Sequence, residues 1–181
     1  MPSLGTLENP RGFAGFVLVA SGLVLGAALL SQFWGGLAPC ELCLLQRWPW
    51  DAAGVASLVM LLAGSRAALP WFAAGLVAVF ALSCAFAFYH VGVEQHWFAG
   101  PTACTASGNA AMTLEDMKRQ IMGTAPVMCD RVQWSLFGIS LAGFNLLASF
   151  GMAAICLAVC LRTGRTVAPT AAGPRIRRGT A

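Results

Sequence analysis

Charge is what this sequence has least of. Of 181 residues only 10% are charged, whereas 58% are hydrophobic and the mean hydropathy is +0.73. A water-soluble domain carries roughly a quarter of its residues charged. Too little polar side chain is present here to cover a water-facing surface, so lipid has to be part of the solvent. A separate soluble domain is missing as well, because the apolar segments and their connections use up the chain. No small-x-small site follows the first apolar run. Leu37-Ala38-Pro39-Cys40 has a faint likeness to a lipoprotein processing site, but the proline before the cysteine argues against cleavage. The first run is expected to remain as a helix.

Four segments have the roughly 20 apolar residues that a membrane span needs. They cover residues 13–33, 42–63, 67–89 and 132–161. The first carries no charge. Gln46, Arg47 and Asp51 interrupt the start of the second. The last is longer than an upright helix requires, so it tilts or emerges from the bilayer. The expected fold is an all-α membrane protein: a four-helix transmembrane bundle forming one domain over residues 1–161. A long loop at 91–131 and a basic, disordered tail at 162–181 complete it.

An even number of spans puts both termini on one side. That side and the second connection hold Arg11, Arg66, Arg162, Arg165, Arg175, Arg177 and Arg178, against Glu8 alone. Basic residues favour the cytoplasm, so both termini are expected inside, with the long loop outside. Topology and lipid charge account for the arginines of the tail, and no nucleic-acid partner is needed.

Seven cysteines are present. Cys84, Cys156 and Cys160 fall inside spans and read as small packing residues. Cys40, Cys43, Cys104 and Cys129 fall on the outer, oxidising side, where disulfides form and persist. Pro39-Cys40-Glu41-Leu42-Cys43 opens the second apolar segment, and proline suits a helix start. A helix N-terminus stabilises a thiolate, and two intervening residues bring the sulfurs within disulfide reach. Arg47, one turn beyond Cys43, is a costly cation at a membrane edge. It either snorkels, pairs with Asp51, or serves the thiolate. Leu44 follows Cys43 where covalent haem attachment would need histidine. A closed zinc site would need Cys104 and Cys129, whose separation fits neither a ribbon nor a finger.

Cys104 and Cys129 flank Thr113 to Gly123, a stretch with a capping-box spacing at Thr113 and Asp116 and a glycine stop. Leu114, Met117 and Ile121 share one face, which predicts a short amphipathic helix on the outer surface. The second pair of cysteines either braces this loop or forms the mobile half of a thiol–disulfide relay. Met112, Met117, Met122 and Met128 in the same loop open a competing reading, a Cu(I)-handling protein with soft sulfur ligands.

Cys40-Glu41-Leu42-Cys43 with Gln46-Arg47, Glu94-Gln95-His96, and Cys129-Asp130-Arg131-Val132-Gln133-Trp134 together resemble the disulfide bond formation protein B (DsbB) family over about residues 13–161. The resemblance implies a membrane protein-dithiol:quinone oxidoreductase of the bacterial inner membrane, with its redox centres facing the periplasm. It implies that a reduced thioredoxin-like periplasmic oxidant (DsbA-like) attacks Cys104 of a Cys104–Cys129 disulfide. Electrons then pass to Cys40–Cys43, and Cys43 faces a quinone, either ubiquinone or menaquinone. Arg47 would stabilise charge on thiolate and reduced quinone, and Glu94 and His96 would lie near the quinone. No resident metal is implied. Glu41 adds negative charge between the cysteines, and the basic tail has no counterpart in the motif. His90 reads as interfacial and Asn145 as an interhelical hydrogen-bonding residue.

Overall fold

The computed structural model describes residues 7–101, 114 and 127–167. Within them the chain is mostly helical. Helix α1 spans Pro10–Phe33, α2 Glu41–Leu45, α3 Trp48–Ala63, α4 Leu69–Glu94 and α5 Leu141–Val167. A 3-10 turn at Arg66–Ala68 leads into α4, and a two-strand hairpin (β1 Ser135–Leu136, β2 Ile139–Ser140) leads into α5. The loop-helix expectation at 113–123, the tail beyond 167 and Cys104 lie outside the described residues.

Local chemistry fixes the ends. Asn9 caps α1 by accepting from the Arg11 N–H at 3.2 Å, and Pro10 takes the first helical position, where an N–H would have no partner. The second apolar segment, expected as one helix from Leu42, is two. Pro49 has no N–H to give to the Leu45 carbonyl, and its ring crowds that carbonyl. The chain therefore stops α2 at Leu45 and restarts at Trp48.

The fourth segment also starts later than expected. Residues 132–140, counted as span, hold the hairpin instead, and the helix runs from Leu141 past Leu161 to Val167. Ser135 pairs with Ser140 and Leu136 with Ile139. Phe137 and Gly138, both with positive φ, form the two-residue turn that matches the twist of a hairpin. Apolar content had made this short stretch look like span, although its real signal was the glycine turn.

Among the described residues, three helical stretches are long and apolar enough to cross a membrane: Pro10–Phe33, Arg66–Glu94 and Leu141–Gly164. Helix α3, at 16 residues, rises about 24 Å, short of the ~30 Å hydrocarbon core. Helix α1 packs mainly on α3, and α4 on α5. Phe13, Val17, Trp50, Phe80 and Cys156 are wholly buried where the helices meet, with Trp50 edge-on to Phe80 at 5.0 Å between ring centres. Ser83 and Ser149 share a hydrogen bond of 2.8 Å between α4 and α5, pinning small residues at a close helix crossing. The outward faces stay apolar: Leu23 is 69% exposed, Leu62 79% and Phe150 69%. Water would penalise such a surface, and lipid does not.

Glu8 and Arg162 approach within 3.9 Å, so the start of α1 and the end of α5 meet at one end of the bundle. The opposite end gathers Cys40, α2, the end of α4, residues 127–134 and the start of α5.

Candidate functional site

Cys40 caps α2 with its own sulfur, which accepts the Cys43 N–H at 3.3 Å. This turns the two side chains toward each other, and the Cys40 S–H donates to Cys43 Sγ at 3.0 Å. The consequence is an unequal pair. Donation to Cys43, and then burial, push the Cys40 thiol up to about 12. Acceptance of the Cys40 S–H lowers Cys43 from its ordinary value despite burial. In the reduced pair Cys43 is therefore the sulfur that ionises first, and Cys40 keeps its proton longer. α2 lies between α1 and α3, outside the membrane-length helices, so this unequal pair sits at their rim.

Arg47 was expected to favour the charged sulfur. It lines a cavity beside the pair, but its Nη1 donates to Gln32 Oε1 of α1 at 3.0 Å, and the lowering of Cys43 comes from Cys40. Among the described residues no ion pair joins Arg47 to Asp51, which is exposed.

Cys129, 86 residues beyond Cys43 in sequence, is buried beside Cys40, Leu42 and Val93, with Cys43 and Tyr89 packed against the group. Three of the four cysteines expected outside the membrane thus occupy one place.

His90 and Gln46 are the residues that sequence reasoning missed. His90 is buried on α4, with Nε2 3.6 Å from Cys40 Sγ and 3.9 Å from Glu94 Oε1. Its Nδ1 lies 2.6 Å from Gln46 Nε2. Gln46 Oε1 accepts from Asn145 Nδ2 at 2.6 Å, and Asn145 Oδ1 accepts from Trp50 Nε1 at 2.8 Å. Asn145 thus bonds between helices as expected. The available signal was the cost of placing Gln46 and Asn145 within apolar segments and His90 at the end of one, which asks for a partner for each. Glu94 is held from the other side by Ser140, whose hydroxyl donates to it at 2.5 Å and also caps α5 at Gly143.

His96 is not brought to this place. It is exposed and has φ 60°, with its N–H bonded to the Val93 carbonyl while Trp97 N–H reaches the Gly92 carbonyl. That is the left-handed residue of a Schellman helix end. Gly92 is required there, because a Cβ would collide with the Phe98 ring.

A cavity of about 390 Å³ opens beside the pair, within the range of small-molecule sites. Its wall is largely apolar, from Val24, Leu25, Leu37, Leu141 and Ala148. Trp50 and Trp134 line it too, so two of the tryptophans wall a pocket; Trp34, Trp48, Trp71 and Trp97 are exposed. Cys40, Cys43, Gln46, Arg47, His90, Glu94 and Asn145 supply the polar points. An apolar slot with few convergent polar groups fits a flat, lipid-soluble ring with two carbonyl oxygens. Met128 also lines it; Met112, Met117 and Met122 lie outside the described residues.

Fold and site define a helical membrane protein with a redox-capable thiol pair set against an apolar cavity. The family model for Disulfide bond formation protein DsbB matches residues 10–159, and the chain belongs to that family. Two curated relatives carry the description Disulfide bond formation protein B. The one from Stutzerimonas stutzeri (strain A1501) is 29% identical over 165 residues, covering 86% of this chain and 98% of the relative. The one from Azoarcus sp. (strain BH72) is 30% identical over 175 residues, covering 92% and 99%. No solved structure matches the chain significantly. Membership makes the chain a disulfide-bond-forming oxidoreductase of the bacterial inner membrane.

Proposed function

We propose that this chain reoxidises a periplasmic thioredoxin-like dithiol partner and passes the electrons through two cysteine pairs to a membrane quinone. The observation that carries the proposal is the burial of Cys129 against Cys40 while Cys43 faces the apolar cavity. The partner's thiolate attacks Cys104 of a Cys104–Cys129 disulfide, and Cys129 leaves as a thiolate. Cys129 attacks Cys40 Sγ, and the Cys40–Cys43 bond breaks toward Cys43. Cys104, freed when the partner closes its own disulfide, attacks Cys129 and releases Cys40. Two electrons, with the protons the reduced pair carries, then reside on Cys40 and Cys43.

A quinone in the cavity supplies the sink for those electrons and protons, and the Cys40–Cys43 disulfide is restored. Cys43 and Arg47 would hold its head, with Arg47 balancing the charge of the reduced form. His90 and Glu94 lie beside the sulfurs as polar groups through which protons can pass, and His90 takes the place the resemblance had given to His96.

The cysteine end faces the periplasm in this reading, and both termini face the cytoplasm. Helix α3 makes the fourth crossing, with α2 at its outer rim. Val55, Val59 and Leu62 on α3 are 64%, 59% and 79% exposed, an apolar face suited to lipid.

A soft-metal site is the competing reading, since the ligand atoms of Cys40, Cys43 and His90 lie within 4.8 Å of one another. The test is disulfide mapping, after acid quench, of oxidised Cys104→Ser, in which Cys129 is a free thiol beside an intact Cys40–Cys43 disulfide that it can open with Cys43 as the leaving thiolate. The relay expects a trapped Cys40–Cys129 bond. Its absence, together with stoichiometric copper in the wild type, would favour the metal reading.

A further inference from the structure

The hydrogen bonds behind the cysteine pair run in one direction. The indole of Trp50 can only donate, so the atom of Asn145 facing it is Oδ1. Asn145 Nδ2 is then left to face Gln46, whose facing atom must be Oε1. Gln46 Nε2 is left to face His90 Nδ1 at 2.6 Å, and an amide N–H there requires Nδ1 to accept. The neutral ring therefore carries its proton on Nε2, aimed at Cys40 Sγ and Glu94. The Cys40 S–H in turn donates to Cys43.

We propose that Trp50, Asn145 and Gln46 are positioning residues: the remote end of a one-way donor chain that locks His90 as its Nε2–H tautomer and ends on the Cys43 sulfur. Hydrogen bonds aligned in one sense polarise one another, which favours negative charge at the accepting end. The chain crosses three helices. Trp50 is in α3, Asn145 in α5 and His90 in α4, with Gln46 at the break between α2 and α3. The break created by Pro49 is what frees Gln46 to turn inward. The lock also opposes the soft-metal reading. A ligating histidine needs a bare Nε2 and donates its other N–H to an acceptor, whereas Gln46 presents a donor to Nδ1. The inference rests on the proposed relay only for its purpose, namely a thiolate held ready at Cys43.

The chain has two histidines, so histidine-selective ¹⁵N labelling gives two rings, and His96→Gln tells them apart. The reduced full-length protein is measured in lipid nanodiscs without partner or quinone. The wild type is expected to show a pyrrole-type Nε2 and a pyridine-type Nδ1 for His90. Asn145→Asp turns the Gln46 amide over, since aspartate can only accept, and should move the ring proton to Nδ1. Gln46→Glu should do the same by giving Nδ1 an acceptor, which keeps the test open if one variant fails to fold. Both should shift the midpoint of Cys43 alkylation upward in pH, a change that loosened packing alone would not couple to the tautomer. A wild-type ring protonated on Nδ1, or an Nε2–H ring persisting in both folded variants, overturns the proposal. Failure of quinone turnover would leave this readout untouched, so the relay and the lock fail separately.

Discussion

Alkylation of the reduced protein at single-cysteine resolution measures the asymmetry of the Cys40–Cys43 pair directly. With Cys40 pushed up to about 12, only roughly one molecule in ten thousand carries a Cys40 thiolate at pH 8. Cys43 is lowered from its ordinary value, so its thiolate is the major reactive species at the same pH. The thiolate is the nucleophile, and the difference in ionisation alone predicts at least about a thousandfold preference for Cys43. Brief iodoacetamide treatment across a pH series, followed by peptide mass mapping, yields both rates. Cys40→Ser keeps an O–H that can donate and should leave Cys43 fast near neutral pH. Cys40→Ala removes the donor and should move the Cys43 rate profile to higher pH. Comparable rates at the two cysteines, or an unchanged Cys43 profile in Cys40→Ala, would refute the reasoning.

Arg47→Ala should weaken quinone use about tenfold to a hundredfold in kcat/KM, the loss of one charged hydrogen bond, while partner oxidation in a single turnover stays near wild type; unchanged quinone kinetics would remove Arg47 from the cavity's chemistry. Gly92→Ala forces a Cβ into the Phe98 ring and should cost about 1–3 kcal/mol in thermal unfolding in detergent, with Phe98→Ala in the same chain recovering part of it. Ser140→Ala removes the cap on α5 and the bond to Glu94, and should cost about 1 kcal/mol in the same assay. His96→Gln should leave quinone kinetics unchanged, because His96 forms the end of α4 rather than a wall of the cavity.

Much of this was legible from apolar run lengths and cysteine placement. The runs at 13–33 and 67–89 became α1 and α4 because nothing within them opposes a helix. The second and fourth runs were misjudged where local geometry overrides hydropathy. Pro49 splits the second, and Phe137-Gly138 folds the start of the fourth into a hairpin. Cys156 and Cys160 fulfil the packing expectation, since Cys156 sits in the core and Cys160 packs against it. Cys40, Cys43 and Arg47 could be singled out by type and spacing, and Glu94 through the family resemblance. His90 could not, because it is 50 residues from Cys40 in sequence and only the packing of α4 brings them together. His96 looked equally chemical, yet its place is set by the backbone, as the residue that takes the left-handed turn ending α4.

Quinone reduction by purified protein supplied with a reduced thioredoxin-like donor tests the central claim most directly, with wild type and Cys43→Ser side by side. The relay predicts donor-dependent turnover in wild type and its loss in Cys43→Ser. Turnover that survives in the variant, or a folded wild type that reduces neither ubiquinone nor menaquinone, would contradict it.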